Sequence, residues 1–426
     1  MGNSPGQGRE KEGSERGRDP QEMADRTAAR MTVLHVRRCS ILLLEPREHA
    51  DFDLEELING GVGLRVSLRW VALAPHLDRE VEVSAVECNI LGQVRSTDWM
   101  PVDVMQEQFD ATAIERLLHI GLLISDDAAG SHWRTRDERL EATYWHPLSA
   151  VAHTFQRWRD VDSSAALEES GMRSFRNLVE KLGEPPPHVL ERVPGSERVA
   201  LPRSPASTLS TLMQQRTTCR NFDATRPLPI AIFSALIERV FAAQAVHAIS
   251  DTTAVLKKNS PSGGGLHPTE LYLLVQNVEG VMPGLYHYHG GEHALEPLPC
   301  RDALDPAALG ALAQRMVAGQ YWFANAHVLA VLTPRFYRSF WKYRSHAKSY
   351  RALIFDAGHL SQNLYLAATE LGLGAFITAA INEIESERAF GLDPLEEGPL
   401  AICGFGWRAA TRETVEFDPL GRVWNP

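Results

Sequence analysis

Residues 349–380, SYRALIFDAGHLSQNLYLAATELGLGAFITAA, constrain the fold more than any other stretch of the chain. Leu353, Ala357, Leu360, Leu364, Ala367 and Leu371 recur every three or four residues, the period of a helix with an apolar stripe. Phe355, Leu366 and Ala368 add apolar side chains on the other faces, so the helix is expected to be buried nearly all round. Gly372 and Gly374 provide the conformational freedom at which helices end, and the β-prone residues 375–381 read as a short buried strand.

The chain has 426 residues, enough for at least two domains, and its 44% hydrophobic content suffices for a sizeable core. A net charge of -11 argues against a nucleic acid or an anionic membrane as the main partner. The five cysteines are scattered and contain no Cys-x-x-Cys, which points away from a disulfide framework or zinc site and toward a reducing cytoplasm. No apolar run approaches the ~20 residues of a membrane span, and the N-terminus lacks the apolar core of a signal peptide. A myristoylation signal fails at Gly6, where a hydroxyl is required.

Residues 1–30 carry almost no large apolar side chains and read as a disordered tail. Residues 31–145 combine β-prone runs at 31–45, 64–73 and 80–87 with an amphipathic helix inside 104–125 that ends near Gly121. A hairpin turn expected over 125–133 completes a small winged-helix-like domain, whose ordinary uses are reading a nucleic acid, holding a peptide strand or simply packing. The acidic balance favours the peptide. Residues 146–205 form a helical connector and a Pro-rich linker, and a mixed α/β pattern fills 206–426.

Four constellations carry chemistry. Arg216 and Arg220 flank the hydroxyl of Thr218 and can grip a phosphate, although a solvated basic helix end has the same composition. Pro261, Ser262, Gly263 and Gly264 open a glycine loop running into a strand, where backbone N–H groups can approach a flat or anionic ligand, although a tight loop without a ligand has the same composition; the absence of a following helix excludes a dinucleotide fingerprint. Lys342 and Tyr343 lie among Arg335, Arg338, Arg344 and Arg351, where neighbouring positive charge could lower their pKa values and let them act as acid or base, although such a run is more often a solvated surface. Arg408 follows a strand ending in Gly404 and Gly406. His287, His289 and His293 cluster on a hairpin, but without the ligand spacing of a metal site, so no metal is assigned.

In this order the segments Arg216-x-Thr218-x-Arg220-x-Phe222, PSGGGLHPTELYLLV from Pro261, GLYHYHGGEHALEPL from Gly284, the run from Trp341 through 375 and PLAICGFGWR from Pro399 resemble the nitroreductase superfamily of FMN enzymes. The resemblance is closer to its SagB-type branch, the azoline dehydrogenases of peptide maturation, and covers about residues 205–410. It implies an α+β fold, a mixed central sheet flanked by helices, with FMN at a homodimer interface. Arg216, Thr218 and Arg220 would hold the phosphate, ribityl chain and pyrimidine edge, with Arg408 a further phosphate ligand. Pro261, Ser262, Gly263 and Gly264 would line the isoalloxazine, the backbone at Thr378 and Ala379 would face N5, and Lys342 with Tyr343 would be the catalytic pair.

The resemblance also implies a precursor peptide as substrate, its leader engaged by residues 31–145, and a cyclodehydratase as partner. Three positions depart from the branch: Thr218 stands for Ser, His267 for Tyr, and Ala379–Ala380 for a glycine-containing pair, which narrows the space over N5. The expected reaction turns a thiazoline or oxazoline into its azole. A nicotinamide-fed nitro or enone reductase and a non-catalytic peptide-binding scaffold are the alternatives.

Overall fold

A computed structural model describes residues 33–299 and 305–424; the tail expected over 1–30 lies outside them. The N-terminal part holds a three-stranded antiparallel sheet ordered Met100–Pro101, His35–Arg38, Leu123–Ser125. The helices Ala85–Gln93 and Ala111–Ile120 bury Ile90, Leu91, Ile114 and Leu117 in the same core as Leu122, Leu123 and Ile124. The strand expected through 87 stops at Val83. The Ser84 side chain accepts from the Glu87 N–H while the Ser84 N–H donates to the Glu87 carboxylate, a capping box that starts a helix instead.

The hairpin expected over 125–133 is absent, and the helix Ser131–Ala142 stands there. Its sequence, SHWRTRDERLEA, conceals a buried face. Asp137 is fully buried because its carboxylate takes hydrogen bonds from Ser40 N and Oγ, both at 2.8 Å, and pairs with Arg37 at 2.6 Å. The long hairpin of this domain lies earlier, between Leu43–Phe52 and Leu64–Leu73, before the helices rather than after them.

The larger part is built on a six-stranded sheet ordered Ala294–Pro297, Gly284–His289, Thr269–Val275, Val328–Pro334, Ala401–Gly406, Gly374–Thr378. These ladders are antiparallel, and a parallel bridge from Thr218 to Ala375 at the edge makes the pairing mixed. Both faces are covered. Leu271, Leu273 and Val275 pack under the helices Ile230–Phe241 and Ser349–Glu370, while Tyr272 and Leu274 alternate onto the helix Pro306–Met316.

The central helix, Ser349–Glu370, buries Leu353, Ala357, Leu360, Leu364 and Ala368 but is not buried all round. Ile354 and Phe355 are 50% and 60% exposed, and Arg351, His359 and Gln362 share the open ridge. The apolar stripe meets the sheet, and the apolar Ile354 and Phe355 on the other side remain exposed among the described residues.

The N-terminal and sheet domains share a core: Ile41, Leu73, Leu140, Trp145, Phe336, Phe340, Leu353 and Leu395 form one cluster. Trp145 Nε1 donates to Leu395 O at 3.1 Å. Removing that indole empties the junction, so Trp145→Ala should cost about 3–5 kcal/mol and destabilise both halves together. Chemical denaturation followed separately by probes in each half should show one coincident, shifted transition; an unmoved midpoint, or a shift in only one half, contradicts this.

Candidate active site

The segment after the helix Thr208–Gln215 runs along the outer edge of Gly374–Thr378, where Cys219 N donates to Ala375 O at 2.8 Å. Tyr365 Oη accepts from Ile377 N at 3.2 Å and shares a hydrogen bond with Thr218 Oγ1, 3.0 Å away. The Arg216 guanidinium lies 5.1 Å from the Tyr365 ring centre and has no carboxylate partner among the described residues. Arg216, Thr218 and the end of the central helix therefore form one cationic, hydroxyl-bearing corner.

Arg408 reaches the same corner, but its charge is already matched. It donates to Thr217 Oγ1 at 3.1 Å and forms an ion pair with the buried carboxylate of Glu416. Glu416 also accepts from Arg220 N at 2.5 Å, Asn221 N at 3.0 Å, Asn221 Nδ2 at 2.8 Å and Trp424 Nε1 at 2.7 Å. The Arg220 guanidinium donates to Val415 O at 3.2 Å. Burial raises the Glu416 pKa, yet these hydrogen bonds and Arg408 outweigh it and hold the carboxyl below its ordinary range.

The glycine loop and the Lys–Tyr pair meet on another side of the central helix. Ser262 Oγ donates to the buried Asp356 carboxylate at 2.6 Å, Gly263 N donates to it at 3.1 Å, and His267 N donates to Ser262 Oγ at 2.9 Å. Pro261 precedes these contacts. Gly264 has φ +66°, a conformation that favours glycine, and a Cβ there would stand 2.6 Å from the tips of Lys342 and Tyr343, so the loop lies directly against the pair. Lys342 Nζ lies 5.6 Å from the Tyr343 ring centre.

A cavity of about 470 Å³ opens beside the end of Gly374–Thr378, walled by Trp158, Tyr350, Ile354, Gly358, Ile377 and Ala379. Thr378 Oγ1 holds the strand end by accepting from Ala380 N and Gln320 Nε2, each at 3.2 Å. A Cβ on Gly358 would meet nothing within 4 Å, so any side chain there would project into open space along this wall. His153 donates from Nε2 to Pro394 O at 2.9 Å and accepts at Nδ1 from Tyr350, 3.1 Å away. Burial, aided by Arg157, pushes the His153 pKa down to about 3, and burial raises Glu383 and Tyr350. These groups are driven toward their neutral forms, as expected where burial dominates.

Helical geometry relates the two halves. Tyr350, Ile354, Gly358, Ser361 and Tyr365 step along one flank of the central helix with the cavity and Arg216, while Ala352, Asp356 and Asn363 lie along the opposite flank with the glycine loop. Within one chain, Thr378 and Ala379 stand with Arg216 and Thr218, apart from Pro261–Gly264, Lys342 and Tyr343. Sequence reasoning missed Asp356, Tyr365, Gln320 and Glu416. A lone Asp inside an apolar helical run was the available signal for the first; nothing in the sequence marked Glu416.

Residues 213–407 match the model of the nitroreductase family. The trifolitoxin-processing protein TfxB of Rhizobium leguminosarum bv. trifolii is 35% identical over 151 residues, 34% of this chain and 38% of that protein. The microcin B17-processing protein McbC of Escherichia coli is 29% identical over 157 residues, 35% of this chain and 54% of that protein. The matches thus span well under two thirds of either relative. Among solved structures, a chain of the E. coli microcin synthetase McbBCD complex with truncated pro-peptide is 22% identical, with 62% of this chain and 95% of that chain covered at a TM-score of 0.42.

Glu416 generates a prediction about acid stability. Its folded pKa lies below the ordinary 4.5, so its contribution is complete above that pH and is lost as pH falls through the folded value. Glu416→Ala should cost about 3 kcal/mol at neutral pH. Glu416→Gln should lose less Tm than wild type on acidification from about pH 6 to about 3; parallel Tm profiles would remove Glu416 from the acid response.

Proposed function

Starting from a chain whose residues 213–407 constitute a nitroreductase-family domain, we propose that the protein is an FMN-dependent oxidoreductase of peptide maturation that converts a thiazoline or oxazoline to its azole. The observation that carries the cofactor assignment is the continuity from Arg216 and Thr218, through Tyr365 and Ile377, into the cavity at Ala379 and Gly358. Tyr365 and Gly358 are seven residues apart, about 10 Å of helix axis, so a phosphate at the cationic corner leaves its ring within reach of the cavity. Arg216, Arg220 and Thr218 would hold the phosphate and polyol end, and Arg408, bound to Glu416, would contribute mainly by shaping the corner. Relatives named as processing proteins of trifolitoxin and microcin B17 support a peptide substrate.

FMN, when bound, supplies the acceptor for the hydride that leaves Cβ of the ring. The chain supplies the base for the Cα proton: Tyr343, whose ring centre lies 5.6 Å from Lys342 Nζ. Loss of one proton and one hydride accounts for the conversion of azoline to azole. A heterocycle-forming cyclodehydratase would deliver the azoline.

Because the base pair and the cavity occupy opposite flanks of the central helix, the pair would serve the cavity of a second copy. A homodimer packed through the exposed Ile354 and Phe355 ridge brings them together. The glycine loop, Pro261, Ser262, Gly263 and Gly264, would cross with the pair and lie over the ring.

FMN should copurify with a dimer, and Arg216→Ala with Arg220→Ala should weaken its binding by orders of magnitude, each lost charge-assisted contact being worth ~1.5–3 kcal/mol. Stoichiometric flavin in the double variant, or a flavin-bound monomer in light scattering, would contradict the site. Lys342→Ala and Tyr343→Phe should keep the flavin spectrum but slow anaerobic bleaching by an azoline peptide ~10² to 10⁴-fold, the double variant being little worse than the poorer single one. Wild-type bleaching rates would take the pair out of the chemistry, whereas NADPH oxidation without any peptide turnover would favour a small-molecule reductase.

A further inference from the structure

A second, larger opening lies outside the cavity. A cleft of about 1230 Å³ runs between the helix Ser131–Ala142, the hairpin Ala245–Ser250 with Thr253–Lys257, and the helix Phe336–Tyr343. That volume exceeds the usual range for a compact small ligand. Its walls offer Trp341 and Tyr337, 51% and 50% exposed and one helical turn apart, facing Ile249 and Val255. Thr253–Lys257 pairs with Ala245–Ser250 alone, so its other edge has no strand partner among the described residues. The cleft ends at Leu266 and Arg338, beside the loop that touches Lys342 and Tyr343.

Charge identifies the occupant. Residues 335–355 contain Arg335, Arg338, Lys342, Arg344, Lys348 and Arg351 and no Asp or Glu, in a chain whose net charge is -11. Arg335 is paired with Glu270 at 2.7 Å, while the other five have no carboxylate partner among the described residues. Of the acids that line the cleft, Glu396 lies 3.5 Å from Arg139, which also pairs with Asp393, and Glu397 accepts from Tyr272 Oη at 2.9 Å, so the excess of positive charge lies at the cleft's outer end, from Arg338 toward Arg344. The cationic face continues outward, with the Arg344 guanidinium 4.5 Å from the Tyr144 ring centre and Tyr144 stacked on Tyr337 at 6.2 Å.

We propose that this cleft is the docking groove for an extended, acidic segment of the peptide substrate. Apolar side chains of the segment lie against Trp341 and Tyr337, its backbone runs beside the free edge of Thr253–Lys257, and its carboxylates meet Arg338, Arg344 and Lys348. The reactive ring is thereby presented at Lys342 and Tyr343. The inference rests on the peptide reading of the site and adds the chemistry of the substrate that the site selects.

The test uses the full chain and two fluorescein-labelled azoline peptides that differ only in flanking glutamates or glutamines. Fluorescence anisotropy should give the glutamate peptide a Kd about 10-fold lower at low salt, an advantage that collapses at about 0.5 M salt. Arg344→Glu with Lys348→Glu should erase that preference and leave glutamine-peptide binding unchanged, while Trp341→Ala should weaken both peptides; each variant should retain a wild-type flavin content, and the charge-reversal variant should melt no lower than wild type. Equal affinities for the two peptides, or variants without effect, overturn the groove. Tighter binding of a single-stranded oligonucleotide, competed by the same charge reversals, overturns it in favour of a nucleic acid. A minimal azoline lacking flanks separates the two readings: bleaching of the flavin without any glutamate preference sinks the groove alone, and a glutamate preference without bleaching sinks the oxidation alone.

Discussion

The packing of the helix Ser349–Glu370 against the sheet sets the position of everything chemical in this molecule. Leu353, Ala357, Leu360, Leu364 and Ala368 lock its rotation, because turning the helix by one residue would drive polar groups into Leu271, Leu273 and Val275. With rotation fixed, Asp356 must face the glycine loop and Tyr365 must face Thr218. Two sites that never touch are thus held in register by one apolar stripe. Burial of an aliphatic side chain stabilises by about 1.5–3 kcal/mol, so the stripe readily dominates the polar contacts that ride on it.

Much of this was legible in the sequence, because the periods were strong. The helices at 230 and 349, the strands at 270, 328 and 401 and the hairpin around Gly290 all announce themselves by pattern. What stayed hidden depends on pairing across the chain. Asp137 is buried because Arg37 and Ser40 meet it from about a hundred residues away, and hydropathy reads its helix as solvent-facing. Glu416 is hidden for the same reason, and with it the neutralisation of Arg408, which the sequence presents as a free cation. The hairpin was expected after the helices because Ser125–Trp133 is polar and turn-like, yet Leu140 needed a core.

The candidate site divides along the same line. Gly264 is interpretable from either direction, since a glycine beside prolines marks close approach and the fold shows what it approaches. The exposed Phe355 is different. A helix apolar on every side predicts burial all round, yet the sheet meets only one side of it and Ile354 and Phe355 stay exposed on the other.

The last constraint is electrostatic. The central helix opens with no side-chain cap and no acidic residue in its first turn, directly after Arg344 and Lys348 and with Arg351 inside its first turn. Cations at a helix N-terminus oppose the macrodipole, at about 0.3–1 kcal/mol each near the surface, and Ser, Asp or Glu there would have been stabilising. The surplus of Asp and Glu elsewhere in the chain shows that acidic residues were available to it. A local rule broken repeatedly, at the end of the element that organises the fold and beside the loop at Gly264, is the pattern expected where binding rather than folding selects the residues. The same helix ends with Arg216 on its flank rather than in its last turn, where it would have complemented the dipole. Neither concentration of positive charge complements the helix dipole, and the helix between them is held chiefly by its apolar stripe.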